Sequence, residues 1–224
     1  MSHRIIIVDD HPLFRSALRQ TLEGETNGFV FEEAGDIEGL SGALEANRDC
    51  DLVLLDLNMP GVRGFSGLLL LRAQFPDVPV MVVSAVEDPS VIRRCFDLGA
   101  SGYLSKSESA ARIRSSIDTV LAGGLWLPEG VSLESEGDED EQSEMLARLA
   151  TLTPQQVRVL MMLSDGLMNK QIAYELSISE ATVKAHVSAI LQKLNVDSRT
   201  QAVIAASKIE QGQFAQLVDG VEEV

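Results

Sequence analysis

The strongest constraint on the fold is a repeated alternation of short apolar runs and helical patterns in the first part of the chain. The apolar runs are residues 4–8, 29–34, 51–55, 79–84 and 101–104. Between them, apolar side chains recur at the spacing of a helix that buries one face. This alternation predicts an α/β domain with a doubly wound, five-stranded parallel sheet and right-handed crossovers.

The alternation stops near Gly123, and a different pattern begins further along the chain. Residues 123–147 contain 8 acidic residues and no basic one, which predicts a flexible acidic linker. Beyond it, four helical patterns follow without strands. The first begins with a capping-box pattern, in which Thr153 is the N-cap, Pro154 the first helical residue and Gln156 the third. The sequence therefore predicts an α/β domain at 4–121, a linker at 122–147 and a small all-α domain at 148–212.

Charge and composition narrow the class of protein. The net charge of −16 taken alone argues against nucleic acid as a partner. The charge is unevenly distributed, however, and residues 148–212 carry a net charge of +2, so this segment could still bind nucleic acid. The 2 cysteines indicate no disulfide framework, and the apolar runs are too short to cross a bilayer. The first residues read as a strand and not as a secretion signal, so we expect a cytoplasmic protein without membrane contact.

Acidic side chains follow two of the predicted strands. Asp9 and Asp10 come after the first strand and Asp56 after the third. Because the carboxyl ends of parallel strands meet at one edge, these carboxylates should be neighbours that need a bridging cation, and hard oxygen ligands suit Mg²⁺. We interpret Asp56 as a nucleophile that accepts a phosphoryl group. The alternative is a solvated acid that caps the turn at residues 58–61.

A hydroxyl and a cation follow the later strands. Ser84 ends the fourth strand and Lys106 follows the fifth. With the carboxylates and Mg²⁺, they form a set able to bind a phosphoryl group during transfer. Taken singly, Ser84 could be a small loop residue and Lys106 a solvated surface lysine. Their appearance in order at successive strand ends argues against coincidence.

With these residues in place, residues 4–121 resemble the receiver domain of bacterial response regulators. The matching motifs are Asp9-Asp10, Asp56 with residues 58–61, Ser84-Ala85 and residues 102–106. The resemblance implies that Asp56 takes a phosphoryl group from the phosphohistidine of a sensor histidine kinase. It further implies that Mg²⁺ is bound by Asp10, Asp56 and the Asn58 backbone carbonyl, with Asp9 acting through water. Ser84 and Lys106 would contact the phosphoryl oxygens. Tyr103 would be the switch residue and would enter space vacated by Ser84. Ser107 stands where many receivers have proline.

Residues 148–212 resemble the LuxR-type four-helix DNA-binding domain of NarL/FixJ-type regulators. The motif comprises residues 152–154, 166–173, 176–179, 182–187 and 193–194, with Gln156 in place of the usual glutamate. The resemblance implies that Glu180–Leu194 is the recognition helix in the major groove. The residues expected at DNA are Asn169, Lys170, Thr182, Lys184, Ala185 and Ser188. The expected buried stripe is Val183, Val187, Ile190 and Leu191.

Together, the two resemblances imply a transcription regulator that is controlled by phosphorylation. Its partners would be promoter DNA and RNA polymerase, and it would be a homodimer when phosphorylated. No enzymatic turnover is expected. The last helical pattern has a face of mostly small side chains, formed by Ala202, Ala205, Ala206 and Ile209. This face could form a dimer contact or could close the core of the monomer. Two rivals stay open. One is a regulator with a degenerate receiver that works without phosphorylation. The other is a phosphatase-like enzyme with an aspartyl-phosphate intermediate, which would need an acid where Asn58 stands.

Overall fold

The computed structural model describes residues 2–23, 28–59, 64–133 and 141–211. Contacts within the chain divide it into two units. The first comprises Met1–Arg63 with Pro76–Glu136, and the second comprises Gly64–Phe75 with Gly137–Val224. These contacts group residues 64–75 with the C-terminal helices.

Along the described residues the chain forms, in order, β1 (His3–Val8), α1 (Pro12–Glu23), β2 (Phe29–Ala34), α2 (Ile37–Ala46), β3 (Leu52–Leu55), α3 (Ser66–Gln74), β4 (Val80–Ser84), α4 (Pro89–Asp97), β5 (Gly102–Ser105), α5 (Ala110–Leu121), α6 (Glu141–Ala150), α7 (Pro154–Ser164), α8 (Asn169–Glu175), α9 (Glu180–Leu194) and α10 (Arg199–Gln211). Within these described segments, no helix has both the length and the apolar composition that a membrane crossing requires.

The sheet of the first unit is parallel throughout, with strand order β2-β1-β3-β4-β5. The predicted five-stranded, doubly wound sheet is confirmed. Every residue of β3 and β4 is buried, as expected for central strands that are covered on both faces. One side of the sheet packs the aliphatic core, which includes Ile5, Leu54, Met81 and Leu104.

This strand order determines where the polar loops meet. Val8 of β1 pairs with Leu55 of β3, so the residues that follow these strands emerge side by side. Ser84 of β4 pairs in the same way with Ser105 of β5. The order also reverses between β1 and β3, and open α/β sheets bind their ligands at such a point.

A short segment after α5 pairs with the outer edge of β5. The Trp126 N–H donates to the Ser101 carbonyl at 3.2 Å, and the Trp126 carbonyl accepts from the Tyr103 N–H at 3.0 Å. The Arg112 guanidinium lies over the Trp126 ring at 5.7 Å and pairs with Glu129 at 2.6 Å. We call residues 125–131 the strap.

The strap lies within the stretch predicted as flexible linker, 122–147, and α6 begins inside that stretch and extends past its end. The strap is anchored by hydrogen bonds to a strand that is distant in sequence, which a local composition argument does not register. Helix α6 begins at Glu141, and its Leu146 and Leu149 are buried. This helix was not predicted, because its first turn is acidic and continues the composition of the linker. Residues 134–140, the rest of the acidic run, lie outside the described residues.

The C-terminal helices of the second unit follow the predicted pattern. Helix α7 begins with a complete capping box, in which Gln156 Oε1 accepts from the Thr153 N–H at 3.0 Å. A tight turn connects α8 and α9, with Ser177 in the left-handed region at φ 53°. Val183 and Ile190 on α9 are fully buried, and α9 packs against α7 and α8. The predicted helix-turn-helix is therefore formed.

Candidate functional site

The carboxyl edge of the sheet brings together three acids and an imidazole. Asp9, Asp10 and His11 follow β1, and Asp56 follows β3. One ligand atom from each of the four residues lies within 4.8 Å of the others. Asp9 and Asp56 are each only 2% exposed. The structure thus places the predicted acids in one cluster and adds His11, which the sequence analysis did not single out.

Lys106 supplies positive charge to this cluster. Its Nζ lies 2.6 Å from Asp9 Oδ2 and 2.9 Å from Asp56 Oδ2, and 4.7 Å from the centre of the Phe14 ring. Burial disfavours the ammonium, but the two carboxylates outweigh it and raise the pKa of Lys106. Lys106 is therefore charged at neutral pH and is shared by two buried acids.

Asp56 is the acid with the most perturbed environment in the cluster. Burial raises the pKa of Asp56, Lys106 opposes the rise, and the charge of Asp9 adds to it. Its Oδ2 faces Lys106, and the Asn58 backbone N–H also acts on the carboxylate and lowers its pKa. The buried Oδ1 has no partner at full hydrogen-bond geometry among the described residues. A buried carboxylate oxygen in such a position can accept from a water or bind a cation or a reaction partner.

The donor set fits Mg²⁺. The carboxylates of Asp9, Asp10 and Asp56 are hard oxygen ligands, and Asp56 Oδ1 is a buried oxygen that is available to a cation. The side chain of Asp10 is 26% exposed, so the cluster opens to solvent on one side, as suits an ion that keeps several of its waters. Asn58 follows Asp56 closely and is exposed. Pro60 and Gly61, which were expected to form the turn, lie outside the described residues.

Ser84 and Tyr103 are linked through one backbone residue. The Val86 N–H donates to Ser84 Oγ at 3.3 Å, and the Tyr103 hydroxyl donates to the Val86 carbonyl at 2.5 Å. Both side chains are 0% exposed, and burial raises the pKa of Tyr103, so its hydroxyl stays protonated. Tyr103 is buried in this structure. Its predicted switch role, in which it enters space vacated by Ser84 on phosphorylation, stays a prediction.

Serine hydroxyls flank Lys106 on both sides. Ser105 Oγ donates to Glu87 Oε1 at 2.6 Å, and Ser107 Oγ reaches the same oxygen at 3.1 Å. These hydrogen bonds lower the pKa of Glu87. Ser107 therefore ties the loop to the residue that follows Val86, which a proline could not do.

The exposed face of α9 carries the residues expected at DNA. Thr182, Lys184, Ala185 and Ser188 are all exposed, and so is Lys170 on α8. Asn169 is only half-buried, and its side chain accepts from Arg199 at 3.4 Å. Lys184 pairs with Glu180 one turn earlier, at 3.1 Å. An acid therefore partly neutralises Lys184, a contact that was not among the predicted features of this face.

The small residues of α10 have a different role from the one first considered. Ala202 is 0% and Ala206 is 7% exposed, because α10 packs against α7 and α9. These two side chains close the core of the second unit, which was the alternative interpretation. Ala205 is half-buried, and the Ile209 side chain lies outside the description.

The chain is similar to known proteins over both units. A family model described as "Response regulator receiver domain" matches residues 5–118, and one for "Bacterial regulatory proteins, luxR family" matches residues 150–206. The chain is 41% identical over 214 residues to a glycerol metabolism activator of Pseudomonas putida, covering 93% of this chain and 96% of the relative. It is 38% identical over 207 residues to the nitrate/nitrite response regulator protein NarP of Escherichia coli (strain K12), covering 90% and 93%.

Solved structures show the same similarity. A LuxR family DNA-binding response regulator from Silicibacter pomeroyi aligns with a TM-score of 0.51 at 30% identity, over 57% of this chain and 98% of the other. The two-component response regulator in an RcsB-DNA complex aligns with a TM-score of 0.55 at 22% identity, over 93% of this chain and 100% of the other, which shows a shared fold.

Proposed function

This chain belongs to the two-component response regulators that join a receiver domain to a LuxR-type DNA-binding domain, and on that basis we propose how its own residues act. Asp56 accepts a phosphoryl group from a sensor histidine kinase, and phosphorylation controls binding to promoter DNA. The observation that carries this proposal is the buried Asp56 carboxylate, with one oxygen beside Lys106 and the other without a partner at full hydrogen-bond geometry among the described residues. We assign the receiver to residues 4–121, the linker to 122–147 and the DNA-binding domain to 148–212.

In the proposed transfer, an oxygen of Asp56 forms a bond to phosphorus as the P–N bond of the kinase phosphohistidine breaks, and the imidazole leaves. Lys106 and the Ser84 hydroxyl contact the phosphoryl oxygens. Mg²⁺ held by Asp10, Asp56 and the Asn58 carbonyl, with Asp9 acting through water, would neutralise charge on those oxygens. The raised pKa of Lys106 supports its role, because it keeps the ammonium charged at neutral pH.

The proposed switch passes through Val86. Phosphorylation replaces the Asp56 carboxylate with an acyl phosphate that carries up to about two negative charges, and these charges draw Lys106 away from Asp9 and attract the Ser84 hydroxyl. Ser84 and Tyr103 both bond to Val86, so a shift of Ser84 changes the hydrogen bonding of the segment that holds Tyr103. The change then reaches the surface formed by α4, β5 and α5.

We further propose that α9 enters the major groove of promoter DNA. Lys184, Ala185 and Ser188 would face bases or backbone, Thr182 would face phosphate, and Asn169 and Lys170 would lie near the backbone. The net charge of +2 on residues 148–212 allows one copy only a few phosphate contacts. Two copies would double them, which supports a homodimer in the phosphorylated state. We expect a cytoplasmic protein that acts with RNA polymerase.

In this proposal the phosphorylated protein is the product of the transfer reaction, and the chain does not turn over a substrate as an enzyme does. An enzyme similar to haloacid dehalogenases would need a second acid two residues after the nucleophile, and Asn58 occupies that position. A degenerate receiver that works without phosphorylation is disfavoured by the intact cluster of Asp9, Asp10, Asp56 and Lys106.

The test is incubation of the full chain with acetyl phosphate and MgCl₂, followed by intact-mass measurement. The parent should gain the mass of one phosphoryl group and Asp56→Asn should not, while Asp118→Asn, an exposed acid on α5, should behave as the parent. Phosphorylated parent should then enrich specific fragments from genomic DNA. An unshifted parent mass, or Asp56→Asn that selects DNA like phosphorylated parent, would refute the proposal.

A further inference from the structure

The loops that follow β4 and β5 are joined by hydrogen bonds that continue beyond the end of the sheet. The Lys106 N–H donates to the Ser84 carbonyl at 2.9 Å, and the Tyr103 hydroxyl donates to the Val86 carbonyl. Glu87 adds a side-chain connection at the outer end of this contact. The loop that carries the Ser84 hydroxyl and the loop that carries the Lys106 ammonium are therefore in contact over several residues.

The carboxylate of Glu87 binds hydroxyls on both sides of Lys106. Its Oε1 accepts from Ser105 Oγ at 2.6 Å and from Ser107 Oγ at 3.1 Å. The Ser107 N–H donates in turn to Ser105 Oγ at 3.3 Å. A serine hydroxyl has one proton to donate, and both protons are directed to a carboxylate, which makes the two bonds charge-assisted. We call Glu87, Ser105 and Ser107 the clasp.

The clasp lies at the surface and is separate from the capping of α4. Both hydroxyls lower the pKa of Glu87, so its carboxylate is ionised at neutral pH. Glu87 and Ser107 are exposed and Ser105 is half-buried, so the clasp is not part of the packed core. The next residue, Asp88, caps α4 by accepting from the Ser90 N–H at 2.7 Å. A substitution at Glu87 can thus change the contact between the loops while α4 and the core stay in place.

Phosphoryl transfer to Asp56 depends on the spacing between these two loops. In the proposed function, the Ser84 hydroxyl and the Lys106 ammonium contact oxygens of one phosphoryl group. Such groups contribute most when their separation is set before the reaction, and a misplacement of about 1 Å can cost about 100-fold in rate. Because the Lys106 side chain is a flexible four-carbon stem, the reach of its ammonium depends on where the backbone of residues 105–107 lies.

We propose that Glu87 is a positioning residue for phosphoryl transfer. Its carboxylate holds the two serines of the clasp against the loop after β4, and so keeps the Lys106 ammonium at the distance from the Ser84 hydroxyl that a transferring phosphoryl group requires. The inference rests on the proposed function and adds a residue that does not itself touch the phosphoryl group. Since Glu87 is an anion, its charge alone would oppose an anionic phosphodonor, so the positioning role and the charge predict opposite changes in rate.

The test is the time course of phosphorylation of the full chain by acetyl phosphate in MgCl₂, followed by intact-mass measurement. Glu87→Ala should lower the rate constant by about ten-fold, because the loops lose their side-chain connection. Glu87→Gln removes the charge but keeps an oxygen that accepts from both serines, and it should stay within about two-fold of the parent. Glu45→Ala, which removes an exposed acid from α2, should match the parent.

Variants of the two serines test whether the effect passes through the clasp. Ser105→Ala combined with Ser107→Ala should slow phosphorylation about as much as Glu87→Ala does. Adding Glu87→Ala to this pair should have little further effect, because all three changes remove the same contacts. The slow variants should unfold at the urea midpoint of the parent, and a lowered midpoint would assign the slower rate to folding and overturn the inference.

Three further results would overturn the inference. They are a parental rate in Glu87→Ala, equal rates in Glu87→Ala and Glu87→Gln, and additive losses when the serine and glutamate changes are combined. If acetyl phosphate labels Asp56 of the parent and of Glu87→Ala at the same rate, the inference fails and the proposed function stands. If the parent is not labelled, both fail.

Discussion

Lys106 and Asp56 form a buried ion pair at the carboxyl edge of the sheet, with Nζ 2.9 Å from Oδ2, although 50 residues separate them in sequence. The same Nζ lies 2.6 Å from Asp9 Oδ2. One cation is therefore shared by two buried carboxylates, with Asp10 close by. The cluster carries excess negative charge, and its stability should respond to any change in that balance.

Asp56→Asn is expected to stabilise the metal-free protein. Because burial and Asp9 raise the pKa of Asp56, its ionised form opposes folding at neutral pH. The variant should gain about 1 kcal/mol in the free energy of unfolding at pH 7, measured with urea. For an acid with a raised pKa, the cost is present above the folded-state pKa and disappears as pH falls through it, so the gain should shrink toward about pH 4. Equal stability at pH 7 would contradict this account.

Lys106→Met should have the opposite effect. It leaves Asp9 and Asp56 buried without their cation, which is expected to cost about 3 kcal/mol of unfolding free energy. Added MgCl₂ should restore much of the loss. Since the folded-state pKa of Lys106 is raised, its contribution is complete below the unfolded value of about 10.4 and is lost as pH rises through the folded-state pKa. Lys170→Met, at an exposed position, provides the control and should change stability little.

Gln156→Glu should stabilise the DNA-binding domain. Lys193 Nζ donates to Gln156 Oε1 at 2.9 Å, and Gln156 is only 7% exposed. A glutamate here would make that bond charge-assisted, for an expected gain of about 1 kcal/mol at pH 7 in chemical denaturation. The gain should vanish as pH falls through the carboxyl pKa, below about pH 4. It should also vanish in the double variant with Lys193→Met.

Arg112→Ala should release the strap from α5. Arg112 stacks on Trp126 and pairs with Glu129, so its loss exposes the indole to water. Trp126 is the single tryptophan, and its emission maximum should shift to longer wavelength. Arg114→Ala, on the same helix, removes an arginine that lies over Phe29 instead and should leave the emission unchanged. A shift of equal size in both variants would argue against the assigned contact.

Lys184→Ala should reduce the salt dependence of DNA binding. If Lys184 contacts a phosphate, the slope of log affinity against log salt should fall by about 0.9 for each bound protomer. Glu180→Gln should raise affinity at low salt, because it frees Lys184 from its partner at 3.1 Å and removes an acid from the α9 face. Glu175→Gln removes an exposed acid on α8 as a charge-matched control. Fluorescence anisotropy with a selected promoter fragment measures both effects.

The sheet and the acid cluster could be predicted because they depend on chain order. Once five parallel strands alternate with helices, the residues after β1 and β3 lie at the same edge of the sheet. The observed strand order, with Val8 paired with Leu55, then places Asp9 beside Asp56. Lys106 follows from the same rule applied to β5. Such inferences need the strand ends only, and not the orientation of any side chain.

Other features depended on contacts that no local pattern encodes. The strap has the composition of a linker, yet its Trp126 backbone bonds to β5. Tyr103 is buried with its hydroxyl bonded to the Val86 carbonyl. The strap and Tyr103 are thus held by tertiary hydrogen bonds between residues whose spacing in sequence gives no signal. The bond from the His11 N–H to Asp9 Oδ1 is local, and it depends on how the turn after β1 folds.

The strap also protects the sheet from unwanted association. An open strand edge offers unpaired backbone groups to any other extended chain, which is a common route to aggregation. On the β5 side, Trp126 already occupies backbone groups of Ser101 and Tyr103. At the opposite edge, β2 carries Glu32 and Glu33, which form ion pairs with Arg4 and Arg15. Charged side chains at one edge and a bonded segment at the other both discourage the addition of a foreign strand, so the sheet can stay monomeric in crowded solution.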